Sequence, residues 1–319
     1  MENKFMWTFF MELSGHIMDD SDAPMRSGWY PKSKWKDKIS CDPDTWDEVV
    51  DFMAERGFNT CVIDIADGIK YDSYPDIAAI DAWPKELLRE KLDIMRSKGI
   101  EPIPKLNFSM THTTWMKHYR RFVSTPEYYK LCSELIAEIC ELFGNPRLFH
   151  IGMDEETIWE QDYRSIVIVR QEKLWLHDLH FLFDEVQSHG ARPWIWADYF
   201  WLHPEKFVEN VPRSVLLSNW FYLRLDDYNN YNKARAEAFE KLDKLGYEQI
   251  PTASLWAGAV DNPYSLMMHG KTKMTDELVK GYMIIPWVYE INQDTVYSMK
   301  NNIHTFYLAR KEVYPESLV

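Results

Sequence analysis

The chain has 319 residues, 46% of them hydrophobic and 27% charged, an ordinary globular balance that excludes wholesale disorder. Its 36 Lys+Arg against 50 Asp+Glu leave a formal charge of −14, which argues against a nucleic acid or an anionic membrane as partner, because phosphate groups require a basic face. Aromatic residues reach 15%, with 14 Trp, so part of them are expected to line a binding surface rather than the core.

The first apolar run, Phe5 to Met11, is closed by Glu12 and lacks a small-residue cleavage site. It reads as a strand rather than a signal peptide, with a cytoplasmic location as the expectation. From there strands are predicted at 6–13, 58–65, 100–106, 147–152, 192–197, 214–220, 250–256 and 282–288. Helices are predicted at 43–56, 84–98, 126–143, 162–189, 204–209, 231–245, 274–280 and 294–311. Strict alternation of this kind implies a parallel sheet. Gly57, Gly99, Gly144, Gly190, Gly246 and Gly281 each follow a predicted helix and precede a strand, where a left-handed residue ends the helix. Asp42-Pro43 and Thr125-Pro126 set a capping side chain before a proline suited to the first helical position.

No GxGxxG follows the first strand and no GxxxxGK[ST] occurs, so a nucleotide-binding open sheet loses its main support. Nothing of linker or low-complexity character divides the chain. The predicted architecture is a single (β/α)8 TIM barrel over 1–319, with a long loop at about 14–42 after the first strand. That loop carries Trp29, Tyr30 and Trp35 and is expected to cover the barrel mouth. Cys41, Cys61, Cys132 and Cys140 form no CxxC pair and are expected to be small buried residues. No apolar run approaches the roughly 18–20 residues of a membrane span.

A barrel places its active site at the C-terminal ends of its strands. The fourth strand runs into Asp154, Glu155 and Glu156. Two carboxylates in one low-dielectric pocket push their pKa values apart, leaving one donor and one anion, the requirement of glycoside hydrolysis. The competing reading is three acids decorating a helix N-terminus. The other strand ends add Asp67, then Asn107 with His112 beyond it, Trp196 with Asp198, Trp220, Trp256, and Trp287 with Glu290. Aromatic rings beside acids describe a carbohydrate pocket, in which a pyranose face packs on Trp and its hydroxyls donate to carboxylates.

His150-Ile-Gly152-Met-Asp154-Glu155 resembles the H-x-G-G-D-E motif of glycoside hydrolase family 20, the β-N-acetylhexosaminidases. Met11-Glu12-Leu-Ser14-Gly15-His16 is similar to that family's first-strand L-D-x-S-R-H, and Asn59 through Asp67 to its second-strand stretch ending in T-D-D. Gly99 through Pro104 with His112 is similar to its G-I-x-x-I-P-E…G-H, and Gly281 through Trp287 to its last-strand G-x-x-x-x-x-W. The resemblance implies an exo-acting β-N-acetylhexosaminidase with substrate-assisted, retaining catalysis. Glu155 would be the acid/base and Asp154 the partner of the 2-acetamido group. His112 and His150 would hold the carboxylates, and Asp67 would be a further polar wall. Neither metal nor organic cofactor enters that mechanism. Departures are visible: Gly15 replaces the family's arginine, Lys105 and Asn107 replace its third-strand acids, and Ser254 through Gly258 stands where its seventh-strand tyrosine falls. Arg26 is the candidate replacement for the arginine. Two other readings stay open, a conventional carboxylate pair of Glu155 with Glu290 or Asp198, and a barrel that binds sugars without hydrolysing them.

Overall fold

The computed structural model describes residues 4–14, 20, 36–39, 41–162, 164–226, 228–230, 232–288 and 290–318. Gly15, His16, Arg26, Trp29, Tyr30 and Trp35 of the long loop, and Tyr289, lie outside the described residues. In chain order the elements are β1 (Met6–Glu12), α1 (Pro43–Glu55), β2 (Thr60–Asp64), α2 (Lys85–Ser97), β3 (Glu101–Lys105), α3 (Pro126–Leu142), β4 (Leu148–His150), α4 (Ile158–Gln161) and α5 (Glu172–Ser188). They continue with β5 (Arg192–Trp196), α6 (Tyr199–Leu202), α7 (Pro204–Asn210), β6 (Leu216–Ser218), α8 (Lys233–Lys244), β7 (Thr252–Ala253), α9 (Asn262–Lys273), β8 (Gly281–Ile284) and α10 (Val296–Val313).

The strands form one eight-stranded parallel sheet in the order β6-β5-β4-β3-β2-β1-β8-β7. Parallel bridges Leu217↔Gln249 and Trp220↔Thr252 bring β6 against β7 and bend the sheet round on itself, giving the (β/α)8 barrel. Alternation along each strand sorts its residues into two cores. Phe9, Cys61, Phe149, Ile195 and Leu217 face outward into the layer shared with the helices. Met6, Phe10, Val62, Ile103, Leu148, Trp194, Leu216, Ile250 and Met283 fill the barrel interior. The same parity puts Glu12, Asp64, Lys105, His150, Trp196 and Trp287 on the inward side at or beyond the strand ends.

Helix boundaries show what the chain does with its caps. Asp42 and Thr125 accept hydrogen bonds from the N–H groups of Thr45 and Tyr128, and a proline opens each helix. Five of the six glycines expected to end helices are left-handed, at φ 69–81°. Gly281 is different, being the first residue of β8, where a Cβ would lie 2.1 Å from the Met6 carbonyl oxygen. The predicted helix at 274–280 is also not formed. Its place is taken by α9, twelve residues earlier in starting position, and Val279 pairs with Gln249 as a lead-in to β8. The predicted 162–189 helix starts only at Glu172, because 164–171 is an irregular segment tied down by Arg164 and Arg170. All four cysteines are buried and free. No helix among the described residues is long and apolar enough to cross a membrane.

Candidate active site

After His150 the chain leaves β4 through three left-handed residues, Gly152 (φ 70°), Met153 (φ 70°) and Glu155 (φ 55°). Such backbone in non-glycine residues persists only where surroundings hold it, and it concentrates at functional sites. Here the holding groups come from the β3 loop. The Asn107 side-chain carbonyl accepts the N–H of Met153 (3.2 Å) and of Ser109 (3.0 Å). The hydroxyl of Ser109 donates to the Asp154 carbonyl, and Thr111 donates to the Glu155 carbonyl (2.6 Å). The Glu155 N–H in turn donates to Asp198 Oδ2 at the end of β5 (2.8 Å).

This conformation sends three consecutive acids to three different places. Asp154 turns inward and is buried. Its Oδ1 accepts from the Asn107 amide (2.8 Å), and its Oδ2 lies 3.1 Å from His112 Nε2. Glu155 is half-buried at the mouth, its Oε2 3.5 Å from the same His112 nitrogen. Glu156 turns back into the protein, paired with Arg170 and accepting the Met110 N–H (3.1 Å). Arg170 also binds Asp178 (3.0 Å) and the Phe108 carbonyl (3.0 Å), so the loops after β3 and β4 are riveted together. The next helix is capped by Thr157 and not by any of the three acids.

The electrostatics separate the groups further. Burial opposes charge on His112, but Asp154 and Glu155 outweigh it and raise its pKa to about 9. Burial likewise opposes charge on Asp154, yet His112, Lys105 and the Asn107 hydrogen bond bring its pKa down to about 2. At neutral pH the site therefore holds an imidazolium beside an anionic Asp154. Burial, then the charge of Asp154, push Asp198 well above the usual carboxylate range. Asp198 Oδ2 is already engaged by the Glu155 backbone N–H. Burial, then Glu155, raise Glu160 on α4 to about 7.

His112, Asp154 and Glu155 bring three potential metal-donor atoms within 4.8 Å of one another.

The other expected residues fall into two groups. Trp196, Trp220 and Trp287 belong to a continuous arc of rings: Trp196–Phe10 (6.2 Å between centroids), Phe10–Trp287 (6.0 Å), Trp287–Tyr222 (6.3 Å), Tyr222–Trp220 (5.2 Å) and Trp220–Trp201 (4.6 Å). Trp256 stands half-buried on the loop after β7, its N–H on Ser254 (3.1 Å). His150 lies in the barrel beside Trp196 (4.6 Å), and its Nδ1 accepts the Gly152 N–H (3.0 Å). It therefore props the backbone turn instead of a carboxylate, and burial, then Lys105, keep it neutral. Asp67 is buried beyond β2 and accepts from Ser14, with burial raising its pKa to about 7. Glu290, after β8, is held by Asn292 (3.1 Å). Ser109, Thr111 and Glu160 were not singled out from the sequence, and Asn107 stood among the strand-end residues with no role assigned. For Asn107 the signal was its inward parity, two residues past Lys105.

No family model and no curated protein matches the sequence. Solved structures do match. An exo β-N-acetylglucosaminidase of glycoside hydrolase family 20 from Vibrio harveyi, in complex with N-acetylglucosamine, superposes with a TM-score of 0.62 at 14% identity over 99% of this chain. The match spans 58% of the Vibrio protein. The N-acetyl-β-hexosaminidase of Streptomyces plicatus gives 0.65 at 15% identity, over 97% of this chain and 68% of that one. Dispersin B gives 0.59 at 13% identity, over 86% and 95%. The chain has the fold of the family 20 barrels.

Proposed function

We propose that the protein is a glycoside hydrolase acting on terminal β-linked N-acetylhexosamine, with the sugar's own acetamido oxygen as nucleophile. The observation that carries the reading is the placement of Asp154 and Glu155 on either side of one imidazolium, 3.1 and 3.5 Å from it, in a barrel whose half-buried rings include Trp287, Tyr222 and Trp201. Neighbouring residues on a strained turn suit this mechanism, because one must address the acetamide and the other the leaving oxygen of the same sugar.

In the first step the acetamide carbonyl oxygen bonds to the anomeric carbon while the glycosidic C–O bond breaks. Protonated Glu155 gives its proton to the departing oxygen. Asp154, kept anionic, accepts the acetamide N–H and balances the positive charge that develops on the oxazolinium ring. In the second step water attacks the anomeric carbon, Glu155 takes its proton, and the ring reopens with overall retention. Trp287 and Tyr222, with Trp220 behind them, supply the apolar wall for the pyranose face, while Trp196, expected to share in it, is buried in the barrel core. Similar folds that carry this activity, among them the exo β-N-acetylglucosaminidase from Vibrio harveyi, support the reading.

The test is a panel of aryl β-glycosides with and without the 2-acetamido group. Turnover of the acetamido sugars only, lost in Glu155→Gln, is expected. Turnover of plain glucosides at a comparable rate would refute substrate assistance.

A further inference from the structure

Beneath the carboxylates the barrel holds a layer of charge. Register pairs Glu12 with Asp64, Asp64 with Lys105, and Lys105 with His150, so four inward-facing side chains from β1 to β4 lie side by side. All four are buried. Lys105 Nζ is bonded to Asp64 Oδ2, with side-chain exposures of 1% and 0%, and it sits 5.2 Å from the centre of the Phe10 ring. Two residues past the end of β3, Asn107 holds Asp154.

Barrel interiors are ordinarily filled by branched apolar side chains. An ion pair in that position loses its hydration, and an apolar pair of similar volume is often equally stable or more so. Stability therefore gives no reason for Lys105 and Asp64 to be there. Their arrangement supplies one. Asp64 lies on the β2 side of Lys105 and His150 on its β4 side, so the pair is a fixed dipole with its positive end toward β4 and the groups beyond that strand.

We infer that the Lys105–Asp64 pair is a positioning element of the site, setting a fixed positive charge under Asp154 so that this carboxylate stays ionised and aimed at the substrate. This rests on the role proposed above for Asp154. The neighbouring charges agree with it. Glu12 on β1 is pushed toward its neutral form by burial, then by Asp64, so it adds no competing anion. Lys105 is among the groups that lower the pKa of Asp154 and that keep His150 uncharged. His112, from the turn after β3, supplies the second positive neighbour of Asp154; Glu155 shares His112 with it, the acids Asp198, Glu160 and Asp64 itself oppose its charge, and His150 lies uncharged beside them.

The experiment replaces the pair together, Asp64→Asn with Lys105→Met, because Lys105→Met alone strands a buried anion. Lys105→Arg, which keeps the charge, is the control. The Asp154 carboxyl is titrated by 13C NMR in aspartate-labelled protein, its signal assigned by Asp154→Asn, and the acid limb of kcat/KM is measured on an aryl N-acetylglucosaminide. The double variant is expected to fold, with its Asp154 midpoint and its acid limb raised by about one pH unit, because Lys105 acts on Asp154 more strongly than Asp64 does, while Lys105→Arg leaves both at the wild-type position. An unmoved Asp154 midpoint in the folded double variant overturns the inference. If the wild type turns over no glycoside while the midpoint still moves, the electrostatic role stands and the hydrolase reading fails.

Discussion

Gly152 is the position where one added methyl group should do the most damage. A Cβ there would lie 2.0 Å from Asn107 Oδ1 and 2.2 Å from Asn107 Cγ, at φ +70°. The Asn107 amide would have to leave, and with it the acceptor for two backbone N–H groups and the donor to Asp154. Stranding those groups, together with a side chain in the left-handed region, is expected to cost about 4–6 kcal/mol of stability in Gly152→Ala. The natural control is Gly190→Ala, where φ is +77° and nothing lies within 4 Å of the added carbon. Only the backbone penalty of about 1–2 kcal/mol applies there. Urea denaturation of the two variants gives the comparison, and turnover of an aryl N-acetylglucosaminide by the folded fraction gives the functional consequence. Displacing Asp154 by an ångström should lower kcat of Gly152→Ala by about 10²-fold or more, with Gly190→Ala unchanged. Equal stability of the two variants with full kcat in both would refute the packing argument.

His112 gains its charged form on folding, its pKa rising from 6.5 to about 9, so the stability it contributes is complete below pH 6.5 and lost as pH rises through 9. Wild type minus His112→Gln in urea should therefore show a difference of about 3 kcal/mol that vanishes across this window, and a pH-independent difference would contradict it. Asp198 Oδ2 accepts the Glu155 N–H, and burial with Asp154 disfavours its charge, so Asp198→Asn should keep kcat within about fivefold while Asp198→Ala lowers it by about 10²-fold. Steady-state kinetics decide between them, and equal losses in both would point to a required anion. Arg170 is wholly buried between Glu156 and Asp178, and Arg170→Met should destabilise the fold by about 3–5 kcal/mol in urea denaturation because it strands both carboxylates.

The barrel was readable because its local rules agree with one another. Capped prolines open α1 and α3, left-handed glycines end five helices, and apolar strands recur between them. The error at 274–280 has a physical cause: α9 has apolar residues spread around its circumference and a glycine in its last turn, so it carries little amphipathic signal. That glycine is required by packing, since a Cβ on Gly270 would meet the Tyr282 hydroxyl at 1.9 Å. The position of Asp154 and Glu155 was legible from the strand end that precedes them. Their separate fates were not, because left-handed backbone at Met153 and Glu155 contradicts the preference of both residue types and is imposed by Asn107, Ser109, Thr111 and Asp198 from elsewhere in the chain. The same holds for His150, whose ring serves the Gly152 N–H, a contact that residue identity alone does not specify.

The proposed chemistry turns on attack by the substrate's acetamide, with Asp154 balancing the charge that develops there. Kinetics on aryl N-acetylglucosaminides bearing none, one, two or three fluorines on the acetyl methyl group probe that step, since each fluorine weakens the carbonyl oxygen as a nucleophile. A steep fall in kcat/KM along the series in the wild type, flattened together with a large loss of rate in Asp154→Asn, is the predicted result. A wild-type rate indifferent to fluorination would contradict acetamide participation.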